Sequence, residues 1–469
     1  MYMIKRDNSS IRHAWRNAMA WRIRHVADNH FLMAMAVVTG VGAGAGAWLL
    51  KWLVSHISIV ITSRLNDSGL NWALLFIPLI GILLTGLFVR YVLRYNLEHG
   101  VSHMMGQLKK GNYVMKRREM FGYIAAAVLT LSFGGSAGGE GPSASTGGAI
   151  GSNIGRACHA RPTMMRLMIG IGAGAGIAGI FKAPIGGALF ALEVMAMPLS
   201  TWPVLSLIVA CVIASLTCGI LSGQPLDMNI SVFGSLPSEY LPCIILLGLC
   251  CGVYSMYYSS CCNTTDHFFK SVSSPWIRNI ISGLWLGAMI MLFPMLYGEG
   301  YASMAKIIDG HHRSIITDSI FAWGGIEPDL TLLMVAGTML LLKGYAKSAT
   351  TSGGGVAGDF APTLFAGCLL GFVFAYGANT LTGTDLPVSM IVYIAMAGVM
   401  AGAVEAPLMA IFIVAEMSSS FTLLLPLTLC AFTSYATVRI CSLRRGLPRR
   451  STREQIMWHG HHMISADER

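Results

Sequence analysis

The pattern with the most chemistry in this chain is a carboxylate set inside a glycine-rich interruption of a hydrophobic run. Gly134-Gly135-Ser136-Ala137-Gly138-Gly139-Glu140-Gly141-Pro142 lies between two long apolar stretches. Glycines there stop a helix and leave backbone N–H groups without partners. Lipid cannot satisfy such groups, so the break has to face a protein-lined or water-filled cavity. Glu140 adds an ionisable group where ionised groups are costly. A second break answers it: Ser352-Gly353-Gly354-Gly355-Val356-Ala357-Gly358-Asp359-Phe360-Ala361-Pro362. Two interrupted apolar segments in corresponding halves point to a transport site.

A helix that starts at such a break aims its first N–H groups, and the positive end of its dipole, into the cavity. That is an anion site without a lysine or arginine in it. It suits a permeating ion, which must bind and also leave. A carboxylate at the mouth of that site competes with the anion. Glu140 can therefore plug the site when ionised and release it when protonated.

The elements that must carry these breaks are membrane helices. Of 469 residues, 54% are hydrophobic and 12% charged, against about 25% charged in an ordinary soluble domain. Apolar runs recur from 31–54 to 422–440, several near the ~20 residues that cross a bilayer. Shorter runs at 144–155, 184–195 and 405–418 read as partial or tilted spans. The runs are continuous rather than alternating, which excludes an outer-membrane barrel. The expected fold is an all-α polytopic membrane protein.

The net charge of +10 is concentrated at both ends, with a further basic segment at Lys109, Lys110, Lys116, Arg117 and Arg118. The positive-inside rule puts both termini and this segment in the cytoplasm; the expected location is a bacterial inner membrane. Residues 11–26 mix Trp15, Trp21, Ile23 and Val26 with basic residues, as in either a helix lying on the inner membrane surface or a frayed, solvent-exposed helix. The basic residues flank spans and form no aromatic-laced patch, so no nucleic-acid partner is expected. The 11 cysteines sit mostly within apolar runs and read as small apolar packers.

The chain also repeats. Ala183-Pro184 precedes Glu193 as Ala406-Pro407 precedes Glu416, and a Gly/Ala-rich run stands upstream of each. The duplicated Glu193 and Glu416 point to a shared structural job, accepting backbone or hydroxyl hydrogen bonds. Lys182 and Glu405 occupy equivalent positions and either pair or face solvent. The expected organisation is a basic segment 1–30, a membrane domain 31–440 with repeats at about 31–222 and 240–440, and a basic tail 441–469. Two glycine stripes, Gly40–Gly46 and Gly170–Gly176, are assigned to close helix packing and not to nucleotide binding.

On these residues the chain resembles the CLC chloride channels and proton-coupled chloride antiporters. Gly138-Gly139-Glu140-Gly141-Pro142 is similar to the family's Gly-Arg-Glu-Gly-Pro motif, and Gly358-Asp359-Phe360-Ala361-Pro362 to its Gly-x-Phe-x-Pro motif. The resemblance runs from about 70 to 440. It implies an inverted repeat of tilted and partial-span helices, a homodimer with one anion pathway per subunit, and Glu140 as the gating glutamate. It further implies that N–H groups of Asp359 and Phe360 bind the central anion, while those around Gly138, Gly139 and Gly141 bind the outer one. The Asp359 carboxylate would then point away, to Lys182 or Lys347.

Several positions depart from that pattern. His99 stands where the family has an anion-binding serine, and Gly139 where it has an arginine. The inner proton-relay glutamate of the antiporters falls at Val194. No tyrosine matches the family's late anion-binding residue near 441–455, and no pair of CBS domains is expected after 440. The favoured reading is a passive, channel-like conductor of chloride or a similar small monovalent anion. The alternative is a proton-coupled antiporter, for chloride or fluoride, using another proton route. Its other partners are membrane lipid and a second copy of the chain. No metal-binding helix, nucleophile–base pair or cofactor loop is recognisable, so neither an enzyme, a cofactor nor a metal is expected.

Overall fold

The computed structural model describes residues 25–68, 72–94, 100–223, 236–312 and 328–444. His99, the surface-helix segment up to residue 24 and the stretch 445–469 lie outside the described residues. The described residues form sixteen α-helices. The first eight are α1 (Asp28–Ser68), α2 (Ala73–Leu87), α3 (Gly100–Lys109), α4 (Glu119–Ser132), α5 (Glu140–Ala157), α6 (Pro162–Phe181), α7 (Pro184–Glu193) and α8 (Thr201–Ser222). The second eight are α9 (Leu241–Ser271), α10 (Pro275–Leu292), α11 (Tyr301–Ile308), α12 (Pro328–Ser352), α13 (Phe360–Thr382), α14 (Val388–Val404), α15 (Pro407–Met417) and α16 (Leu424–Arg444).

The packing repeats with the order. α1 packs on α8 as α9 packs on α16; α5 on α6 as α13 on α14; α6 on α8 as α14 on α16. Two further pairs, α2 with α10 and α7 with α15, join each helix to its own counterpart. Contacts between equivalent elements are what an axis relating two inverted halves produces. The chain is therefore an all-α polytopic membrane protein built as an inverted repeat.

Nine helices among the described residues are long and apolar enough to cross a membrane. Others are not: α7 has 10 residues and α15 has 11, about 15 Å of helix against a hydrocarbon core of ~30 Å. The run at 144–155 lies within the 18-residue α5, while those at 184–195 and 405–418 are partial spans. Both start with proline at the first turn, where its missing N–H costs nothing.

The two glycine stripes pack helices closely, as expected. A Cβ at Gly40 would stand 2.6 Å from the Ala210 carbonyl oxygen of α8. Gly172 of α6 and Gly147 of α5 face each other so closely that a Cβ on either would overlap the other's carbonyl oxygen. Backbone-to-backbone approach of this kind draws α5 and α6 together and places the start of α5 deep in the protein.

The duplicated glutamates do the job that their repetition points to. The Glu193 carboxylate, closing α7, accepts the N–H groups of Leu408 at 3.3 Å and Met409 at 2.7 Å, at the start of α15. Glu416, in the last turn of α15, accepts those of Ile185 at 3.0 Å and Gly186 at 2.8 Å, at the start of α7. Each carboxylate takes two of the donors that a helix start leaves unpaired. Lys182 and Glu405 sit in matching left-handed positions, φ 53° and 59°, and Glu405 pairs with Arg439 at 3.7 Å.

Candidate functional site

Each break is a helix stop followed by a helix start. α4 ends when Gly134, at φ +92°, turns the chain left-handed; its N–H then bonds the Leu131 carbonyl and that of Gly135 bonds Thr130. In the second half α12 ends the same way. Gly354 is at φ +112°, with Gly354 and Gly355 donating to Thr351 and Thr350. An L-residue is strained at either glycine, and at Gly134 its Cβ would also strike the Tyr297 ring at 2.6 Å.

The two breaks then lock onto each other. The Ser136 N–H donates to Thr350 Oγ1 at 3.1 Å, and its counterpart Val356 N–H donates to Thr130 Oγ1 at 3.0 Å. Gly138 and Gly358 pair as one antiparallel bridge: Gly138 N–H to Gly358 O at 3.1 Å, Gly358 N–H to Gly138 O at 2.6 Å. A Cβ on Gly141 would come within 2.9 Å of Gly358 Cα, and one on Gly358 within 2.5 Å of the Gly141 nitrogen. Only glycine lets the starts of α5 and α13 approach this closely.

Glu140, the first residue of α5, is fully buried at this junction. Its Oε1 accepts the Tyr301 hydroxyl at 2.5 Å, from the start of α11. Its Oε2 accepts the Ala361 N–H at 3.4 Å, from the first turn of α13. The carboxylate of one break is thus bonded to a backbone donor of the other. The carboxylate thereby occupies a backbone donor of the α13 start.

A cavity of about 320 Å³ adjoins the junction. Gly141, Gly358, Asp359 and Phe360 line it, as do Gly100, Val101 and Ser102 from the start of α3. A Cβ at Gly100 would meet Ser145 Oγ at 2.8 Å and the Gly141 carbonyl oxygen at 3.2 Å. Three helix starts, those of α3, α5 and α13, therefore converge on one cavity. That is a focus of partial positive charge built from backbone.

The sequence-derived candidates divide as follows. Glu140, Gly138, Gly139, Gly141, Asp359 and Phe360 come together around the junction. Gly138 spends its N–H on the bridge and Gly139 on Glu299 Oε1 at 2.8 Å, so these two donors are engaged. Gly141, Asp359 and Phe360 line the cavity. Asp359 forms an ion pair with Lys347, which decides between the two lysines considered. Val194 lies on the cavity wall. Phe190 of α7 stacks edge-on against Phe360 with ring centroids 5.7 Å apart.

Sequence reasoning misses Tyr301, Glu299 and Lys343. Tyr301 and Glu299 come from around a short helix start in the other half of the chain, and no motif marks them. Lys343 is inconspicuous inside an apolar run, although a lone cation there is itself a signal. The Thr130–Thr350 pair is readable from the repeat, since both sit at the same place before their breaks.

A family model described as "Voltage gated chloride channel" matches residues 80–439. A ClcB-like protein of Ralstonia nicotianae is 29% identical over 373 residues, covering 78% of this chain and 82% of its own length. Among solved structures, a slow cyanobacterial Cl⁻/H⁺ antiporter superposes with a TM-score of 0.73 at 21% identity, covering 93% of this chain and 99% of its own. A CLC-type fluoride/proton antiporter superposes with a TM-score of 0.67 at 23% identity, covering 87% and 95%. At these identities the two structures establish the shared fold.

Proposed function

The chain belongs to the voltage-gated chloride channel (CLC) family and is a multi-pass protein of anion transport, and we propose that it carries chloride or a similar small anion passively, gated by Glu140. One observation carries the reading: the Glu140 carboxylate accepts the Ala361 N–H at 3.4 Å across the two breaks. Ionised, it occupies the donors that an anion needs. Protonated, it loses its claim on them and the path opens. Backbone donors of Gly141, Asp359 and Phe360 bind the anion on the inner side, and His99 is the further anion-binding residue of this reading. The proposed working unit is a homodimer in a bacterial inner membrane.

Passive movement is favoured by Val194. It stands on the cavity wall, where an inner proton carrier would be needed, and it has no titratable atom. The second reading, proton-coupled antiport of chloride or fluoride, draws on the two antiporters that share the fold and on the presence of Glu140. Flux from liposomes with a pH electrode separates them. The expected result is chloride efflux with no stoichiometric proton movement and with potassium excluded. Uphill proton movement driven by a chloride gradient would establish antiport. Potassium flux without anion flux would sink both readings.

A further inference from the structure

Among the described residues Lys343 is the one lysine or arginine that is fully buried. It lies in the middle of α12 and is fully buried, 0% exposed. Its ammonium donates to Ser136 Oγ at 2.8 Å and sits 4.7 Å from the centre of the Phe365 ring. Among the described residues no carboxylate is within ion-pair distance of it. A cation taken out of water and given one hydroxyl and one ring face remains largely uncompensated. Such a charge is retained inside a membrane protein when something else completes it.

Its placement says what that is. Ser136 belongs to the first break, two residues before Gly138 of the bridge and four before Glu140. Its N–H is fixed on Thr350 Oγ1 and its hydroxyl oxygen is taken by Lys343. A hydroxyl that accepts from an ammonium has its own proton turned away from it and strengthened as a donor. At the equivalent position of the first half stands Tyr123, also fully buried. The cation is thus placed behind one break only, the one that ends in Glu140.

We propose that Lys343 is a positioning residue of the anion path: a fixed positive charge that, acting through Ser136 and the first break, raises the affinity for the anion held between the breaks. This rests on the reading of the breaks as an anion site. Lys343 reaches the junction through Ser136, four residues before Glu140 in the same break. The ligand class is a small monovalent anion.

The test uses the purified full chain in detergent, with chloride isotherms by calorimetry and thermal melts with and without chloride. Lys343→Met should weaken chloride binding about tenfold, the effect of removing a unit charge near the site. Lys343→Arg should restore most of the affinity. In chloride-free buffer Lys343→Met should melt no lower than the parent, because it removes an uncompensated buried charge, while the stabilisation that chloride confers should shrink. A merely structural lysine gives the opposite pair: a lower melting point and an unchanged isotherm, and that pair overturns the proposal. If Lys343→Met does not fold, Ser136→Ala decides, with weaker chloride binding supporting the proposal and an unchanged isotherm overturning it. If the parent binds no chloride at all, the anion reading fails first and this inference with it.

Discussion

The two breaks share a backbone and differ in their side chains. Each has a left-handed glycine, a backbone donor held by the other half's threonine, and one strand of the Gly138–Gly358 bridge. At the helix starts they part. The first break puts a buried carboxylate, Glu140, at the opening residue of α5, and its Ser136 carries Lys343. The second puts Phe360 there and turns its acid, Asp359, toward Lys347. On the proposed function, duplication supplies two matched helix starts for an anion, and divergence gives one of them a gate and leaves the other open. A symmetric pair of gates would close the path twice, and a symmetric pair of open ends would never close it.

The sharpest way to break this comparison is to remove the gate. Glu140→Gln keeps the volume and loses the charge. Anion flux should then be high and independent of pH, whereas the parent's flux should rise as pH falls and the carboxylate is protonated. The contrast should exceed tenfold at alkaline pH, read as chloride efflux from liposomes. A Glu140→Gln protein whose flux still follows pH like the parent would reduce Glu140 to a helix-start acid favoured by the dipole.

A second pair of acids tests the other side of the comparison, where the halves have stayed alike. Glu193 and Glu416 cap each other's helices with two N–H bonds each. Charged acceptors of buried or half-buried donors are worth roughly 1.5–3 kcal/mol. Glu193→Gln and Glu416→Gln should therefore each lower stability by about that much, to a similar degree, without altering the anion-to-proton behaviour. Melting temperature and liposome flux check both halves of the statement. A proton coupling that exists in the parent and vanishes in Glu193→Gln would make Glu193 a relay and undo the structural assignment.

How legible this is in the sequence follows from the range of the signals. The breaks, the repeat and the capping glutamates are local patterns of glycine, proline and acid, and each is readable because helix stops and starts have local causes. The convergence of α3, α5 and α13 follows from the chemistry of helix starts, but their contacts depend on backbone approaches such as Gly141 to Gly358 that no pattern announces. Tyr301 and Glu299 are invisible because hydrogen bonds between distant parts of a chain leave no trace in spacing. The engaged N–H groups of Gly138 and Gly139 are equally unreadable. A glycine-rich loop offers donors, and only the fold decides which are already spent. Asp359 lies between these cases: its turn away from the path is foreseeable, and its partner needs coordinates.

The smallest effect gives the finest comparison. Thr130 and Thr350 hold Val356 and Ser136 by the same bond, 3.0 and 3.1 Å, and each donates its own hydroxyl to the carbonyl one turn before, at 2.9 Å. Valine has nearly the shape of threonine and cannot accept. Thr130→Val and Thr350→Val should each leave one buried N–H unpaired, at a cost of about 1–3 kcal/mol. If the halves are equivalent at this level, the two losses should agree to within about 0.5 kcal/mol, the usual scatter between independent sites. Thr130 has one additional neighbour, the Thr85 hydroxyl at 3.1 Å, so any difference should fall on its side. Function should divide where stability does not. Ser136 is also the residue that carries Lys343, so Thr350→Val should weaken chloride binding several-fold, while Thr130→Val should leave it within about twofold. Equal losses of affinity in the two variants would mean that both breaks bind the anion in the same way, and that the lysine confers no advantage on the first.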